Sequence, residues 1–283
     1  MKRTTYYEVA LHRFSVSGEE AVLQMLHNYE AFRCADEVSS VAAFHLDITD
    51  GNAPLYDEEL RQEEEGQTIV CGHTAEGQSV FEYRWLNQTA GWLICSNHYT
   101  KAQLVTTGCY LKMAVDNALM VLFALATAHQ HTALFHAAAV SQGGKAYMFL
   151  GKSGTGKSTH AQLWLKHIEG TELVNDDNPV VRDNTVYGSP WSGKTPCYRN
   201  VHYPLGGIVL LSQAPYNKIQ RLRGIEAYAA LVPSISGKRW EPRIADGLHQ
   251  TENTLAMTVP VWHLECLPNE QAAQECFQQI AQP

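Results

Sequence analysis

Apolar and polar positions change period several times along the chain, and each change predicts an element. TYYEVALHRFSV, from Thr5, alternates and predicts one strand. From Ser17 to Phe32 the apolar positions Val22, Leu23, Leu26 and Tyr29 take helical spacing. VAAFHLDI (41–48) again reads as a strand. TIVCGH, SVFEYRWL and GWLICSNHYT follow as short β-prone runs parted by Gly, Asn and Gln. From Tyr110 the pattern becomes almost continuously apolar, YLKMAVDNALMVLFALATAH. This is a buried helix, because its longest apolar run, Ala118–Ala128, is too short to span a bilayer. FHAAAV and AYMFLG are strands joined by a turn at Gly143–Gly144, a hairpin signal. THAQLWLKHIEG carries apolar residues at 161, 164, 165 and 168, one face of a helix that Gly170 ends. TELV, DNTVYGSP, GGIVLLSQA and TVPVWHLECL read as strands. RGIEAYAALVP and NEQAAQECFQQIA read as helices.

These elements predict two domains: a small α+β unit over 1–104 and an α/β unit over 105–283. A length of 283 residues accommodates both. The acidic run DEELRQEEE (57–65), six acids around Arg61, reads as a solvated face or loop. The net charge of −8 argues against nucleic acid or an anionic membrane surface as partner. Seven cysteines without a CxxC, and an N-terminus with no apolar run after its basic residues, suit a reduced, cytoplasmic protein. His129 and His131 form an HxH with no third ligand at sensible spacing. Cys71–His73 and Cys95–His98 are equally weak as metal pairs.

The chemistry is carried by GKSGTGKST, residues 151–159, placed between a strand and a helix. It satisfies GxxxxGK[ST] without mismatch from Gly151 to Ser158. Gly151, Gly154 and Gly156 allow a tight loop with inward N–H groups. The following helix adds its positive end. Lys152, Ser153, Thr155 and Thr159 complete the phosphate-binding segment. Lys157 can reach the β- and γ-phosphates and Ser158 can ligate Mg²⁺. Asp176 and Asp177 follow Lys157 by 19 and 20 residues. One helix and one strand fill that gap, which puts the pair at the end of the strand neighbouring the loop. One carboxylate can hold the metal and the other accept a proton from an attacking hydroxyl. His136 lies one strand before the loop and is either near the phosphates or a satisfied core histidine. Lys194 and Arg199, in the Gly/Pro/Ser-rich stretch 187–200, can contact phosphate or substrate. Lys218, Arg221 and Arg223 form a basic segment that reads as solvated.

HAAAV, the GG turn, the strand into GKSGTGKST and then LVNDD resemble HPr kinase and its relatives, in the wider phosphoenolpyruvate-carboxykinase-like P-loop superfamily. YGSPWSGK stands where HPr kinases carry an RGLGIINV-like segment, so the likeness is to relatives of the enzyme rather than to the enzyme itself. The resemblance implies a mixed, strongly curved sheet with helices packed on it. It implies phosphate binding by Gly151–Thr159 and binding of Mg²⁺ by Ser158 and Asp177; ATP is taken as the nucleotide by default, because no base-recognition motif is visible. Asp176 would be the base, with Lys157 and His136 beside it, and the assembly could be a homo-oligomer. The expected activity is transfer of the γ-phosphate of ATP to a serine-like hydroxyl on a small molecule, peptide or protein. The alternative is a nucleotide sensor or slow hydrolase that acts through protein partners.

Overall fold

A computed structural model describes residues 2–35 and 42–281. Val41, the first residue of the strand expected over 41–48, lies outside them. The chain divides into two units, 1–127 and 128–283.

The first unit opens with β1 (Lys2–Val9) and β2 (His12–Glu19), paired antiparallel from Lys2↔Glu19 to Val9↔His12. The single strand expected here is therefore a hairpin. Its two-residue turn, Ala10-Leu11, has positive φ at both positions (49° and 63°). Hairpin turns of that geometry usually advertise themselves with Asn or Gly, and this one does not. The helix expected over 17–32 is replaced by the end of β2, a short α1 (Glu20–Gln24) and a 3-10 helix, His27–Phe32. Leu26, Tyr29 and Phe32 are buried, and their spacing of three is the 3-10 period.

Next come β3 (Phe44–Asp50), β4 (Asp57–Glu64), β5 (Gln67–His73), β6 (Ser79–Trp85), β7 (Gln88–Cys95), β8 (Lys101–Thr106) and α2 (Leu111–Thr127). One mixed sheet runs β1-β2-β3-β8-β7-β6-β5-β4. The acidic run forms β4, an edge strand exposed at every position. Its charges leave the edge poorly suited to pairing with another chain. Helix α2 packs on β3, β6, β7 and β8. It therefore completes the first unit, and the division falls after Thr127 rather than after 104.

The second unit contains β9 (Thr132–Leu134), β10 (Ala138–Gln142), β11 (Lys145–Leu150), α3 (Lys157–His167), β12 (Glu172–Asn175), β13 (Val180–Arg182), β14 (Thr185–Tyr187) and β15 (His202–Gln213). After these come β16 (Lys218–Leu222), α4 (Ile225–Leu231), α5 (Pro242–Thr258), β17 (Val261–Cys266) and α6 (Glu270–Ile280). The sheet runs β12-β10-β11-β15-β14-β13-β9, and β17 joins β15 with β16 beyond it. Strands β11, β15 and β17 are parallel; β10 is antiparallel to both of its neighbours. The unit is mixed α/β.

Period-two burial on β10, β11 and β15 presents Ala138, Val140, Tyr147, Phe149, Val209 and Leu211 to Ala161 and Trp164 of α3, to Ile168 just past its end, and to Ala273 and Cys276 of α6. Trp164 lies at the centre, its ring 5.4 Å from both Tyr147 and Phe149 and 5.6 Å from Phe277. Among the described residues, no helix is long and apolar enough to cross a membrane.

One buried titratable group in this core ties stability to pH. His160 is 3% exposed, accepts the Trp164 indole N–H at Nε2 (3.2 Å) and meets the Phe149 ring at 4.7 Å. Burial pushes its pKa down from 6.5 to about 4. Between those values the unfolded chain binds the extra proton and the folded one does not. Stability is thus fully present above about pH 6.5 and falls as pH drops toward 4, by about 3 kcal/mol in all. Denaturant melts from pH 7 to 4 should show this slope, and His160→Gln should flatten it. An unchanged slope in the variant would assign the acid sensitivity to other groups.

Candidate functional site

The sheet order explains how three distant segments converge. Strand β10 runs antiparallel between β11 and β12, so it begins at the end where both neighbours finish. The acidic pair is therefore one strand further from the phosphate loop than the sequence predicts, because β12 pairs with β10 and not with β11. The segment leading into β10 fills the space between, and it carries His136 two residues before the strand.

The loop leaves β11 at Gly151 and enters α3 at Lys157. Gly151, Gly154 and Gly156 take φ of 148°, 77° and 111°, backbone that L side chains rarely adopt. A Cβ at Gly151 would also stand 3.2 Å from the Thr155 side chain and 3.3 Å from the Leu211 carbonyl. Lys152, Ser153, Gly154 and Thr159 are exposed, and Ser158 is half-buried in the first turn of α3. From the end of β15, Gln213 Nε2 donates to the Gly154 carbonyl at 3.2 Å. That steadying contact has no sequence signal.

Lys157 is buried, at 7% exposure. Its Nζ donates to the carbonyls of Gly151 (3.0 Å) and Lys152 (3.5 Å) and to His136 Nε2 (2.8 Å). His136 Nδ1 stands 3.0 Å from Asp177 Oδ1. An imidazole that accepts from an ammonium at Nε2 carries its proton at Nδ1 and donates it to the carboxylate. The backbone repeats the link, since the Ala137 N–H donates to the Asp177 carbonyl at 2.9 Å. Lys157, His136 and Asp177 are thus one hydrogen-bonded row.

The acidic pair is held by Asn175, which is fully buried. Its Oδ1 accepts the N–H groups of Asp177 (2.9 Å) and Asn178 (2.7 Å), which is an Asx turn. Its Nδ2 donates to Ser189 Oγ (3.1 Å) and to the Trp191 carbonyl (3.0 Å). One amide therefore shapes the acidic turn and anchors the loop beyond it. Asn ahead of two acids is the local sequence signal for such a turn.

The two carboxylates differ. Asp177 has an engaged partner at each oxygen, His136 at Oδ1 and Asn178 Nδ2 (2.7 Å) at Oδ2. Asp176 is 2% exposed, accepts the Thr195 N–H at Oδ2 (2.9 Å) and keeps Oδ1 buried without a partner. A buried carboxylate oxygen left unpaired is costly, so Asp176 Oδ1 keeps the capacity to accept one more hydrogen bond.

Lys194 is exposed on the loop that donates to Asp176. Arg199 is elsewhere. Its guanidinium binds Glu172 Oε2 (2.6 Å) and the Leu173 carbonyl (2.7 Å) at the opposite end of β12. This exposed ion pair is worth less than about 1 kcal/mol. Arg199→Ala should leave nucleotide affinity unchanged by calorimetry; a loss of tenfold or more would return Arg199 to the site. In the basic segment, Arg221 lies over the Trp262 ring at 5.0 Å on β16. His129 Nε2 pairs with the Arg243 guanidinium at 2.9 Å.

Oxygen donors dominate the site. Magnesium is bound by one or two carboxylates, hydroxyls and substrate phosphates, and Ser158 with the acidic pair offers that set. Among the described residues, no three His, Cys, Asp or Glu side chains gather as metal ligands on their own. Compared with known proteins, the chain matches no family model and no curated protein.

Proposed function

We propose that this protein is a kinase of the phosphoenolpyruvate-carboxykinase-like P-loop type, passing the γ-phosphate of ATP to a hydroxyl. The observation that carries the reading is the row Lys157–His136–Asp177, which joins a phosphate loop to a carboxylate pair with one unsatisfied, buried oxygen. A hydrolase needs only a positioned water, whereas an alcohol gains from a base that takes its proton.

The backbone N–H groups of Gly151–Thr159 and the start of α3 hold the phosphates. Lys157 turns from His136 toward the β- and γ-oxygens. Ser158 and Asp177 would hold Mg²⁺, which would supply positive charge against the transferring phosphate. The acceptor hydroxyl gives its proton to Asp176 Oδ1 as its oxygen bonds to the γ-phosphorus. The bond to the β,γ-bridging oxygen breaks and ADP departs with that electron pair. The Thr195 N–H on Oδ2 keeps the Asp176 carboxylate oriented.

ADP release from Mg·ATP should rise when an acceptor is added, with phosphate appearing on the acceptor by mass spectrometry. Tight ATP binding with no acceptor-dependent release, across amino acids, small alcohols and cell extract, would replace the kinase with a nucleotide sensor.

A further inference from the structure

The loop after the acidic pair holds the most specific information about the acceptor. It is built rigidly. Ser192 Oγ donates to the Thr195 carbonyl (2.8 Å) and accepts the Cys197 N–H (3.2 Å), closing residues 192–197 into a tight turn. The Cys197 thiol donates back to the Val174 carbonyl at 3.5 Å, and Asn175 holds Trp191.

The turn is stitched to both acids, on either side of one residue. On one side Gly193 lies against Asp177 so closely that a Cβ there would stand 3.0 Å from the Asp177 Cβ. On the other side the Thr195 N–H binds Asp176. The residue between them is Lys194. Its side chain is exposed, and among the described residues it has neither a hydrogen-bond nor an ion-pair partner. An exposed ammonium therefore sits on a turn that packs against Asp177 through Gly193 and binds the Asp176 carboxylate through Thr195. The Thr195 N–H, on the residue after Lys194, binds Asp176 Oδ2, and Asp176 Oδ1 is buried and unpartnered.

One group is a buried, unsatisfied oxygen and the other an exposed cation, and they favour opposite partners. The carboxylate oxygen takes a hydrogen-bond donor, and the ammonium takes an anion. We infer that the acceptor is a small alcohol bearing an anionic group close to its hydroxyl, with the hydroxyl on Asp176 and the anion on Lys194. This rests on the kinase reading and adds the acceptor's class. A carboxylate and a phosphate ester satisfy Lys194 equally; a neutral alcohol leaves its ammonium without a counter-ion.

The test measures kcat/KM with Mg·ATP for matched pairs: glycerate against glyceramide, and glycerol 3-phosphate against glycerol. ATP affinity is measured separately by calorimetry. At least one anionic member should exceed its neutral partner by about 10- to 100-fold, the worth of one charge-assisted hydrogen bond. Which pair shows the preference distinguishes carboxylate from phosphate. Lys194→Ala should collapse it through KM, Lys194→Arg should keep most of it, and ATP affinity should not move in either. Equal use of charged and neutral partners would overturn the inference. So would ATP bound without phosphorylation of any anionic alcohol. Weakened ATP binding in Lys194→Ala would place Lys194 on the nucleotide instead. Failure of the wild-type protein to bind ATP would overturn the kinase reading, and this inference with it.

Discussion

Asp176→Asn should lower phosphoryl transfer by about 10²- to 10⁴-fold, the usual worth of a positioned general base, while Mg·ATP affinity stays within about twofold. The substitution is nearly isosteric, so the turn made by Asn175 and the Thr195 N–H contact can persist. What disappears is the buried oxygen with a vacant lone pair. Asn offers an amide at that place, which can hold a hydroxyl but cannot take its proton. The loss should therefore appear in kcat rather than KM, because the interaction is made only as the proton leaves. Calorimetry for ATP and a coupled assay for ADP check both halves. Full activity in Asp176→Asn would assign the base to another group. Loss of ATP binding together with activity would mean that Asp176 shapes the nucleotide site instead.

The largest effect on folding is expected at Trp164. The ring is fully buried among Tyr147, Phe149 and Phe277, and its N–H is satisfied by His160. Trp164→Ala removes the group that joins α3 to the sheet and to α6, and should destabilise the second unit by about 3–5 kcal/mol. It also exposes His160 Nε2 to the loss of its donor. Because the phosphate loop enters α3 directly, ATP affinity should fall along with stability. Denaturant melts followed by far-UV circular dichroism would measure the change. Two units can unfold separately, so the transition that ATP shifts identifies the second one. A destabilisation below about 1 kcal/mol would mean that the core closes over the gap and α3 is held elsewhere.

Much of the candidate site was legible because its parts are local. The phosphate loop is a run of residue types whose backbone demands are met within nine positions, and its strand-loop-helix context follows from period two giving way to period 3.6. The acidic pair was recognisable by its distance from Lys157. The role of His136 was left open between the phosphates and the core, and the geometry places it between Lys157 and Asp177. Other features were illegible for physical reasons. Arg199 was proposed for phosphate because it shares a loop with Lys194. Its partner Glu172, however, is 27 residues away in sequence and meets it only through β12. The second task of Asn175, holding Ser189 and Trp191, is a contact across a loop that no local pattern announces. In the first unit the turn at Ala10-Leu11 carries neither Gly nor Asn, so local chemistry concealed it, and the register of β1 with β2 enforces it instead.

By itself the sequence determined where a glycine-rich turn joins a strand to a helix, which faces of α3 and of the central strands are apolar, and that two units follow one another. Each of these depends on neighbours a few residues apart. Only the tertiary structure decided that β10 lies between β11 and β12, and hence that a histidine links the lysine to the aspartate. It also decided that one acid of the pair keeps a vacant oxygen while the other has none. Strand order and residual hydrogen-bonding capacity are sums over contacts distant in the chain, and no local pattern records them.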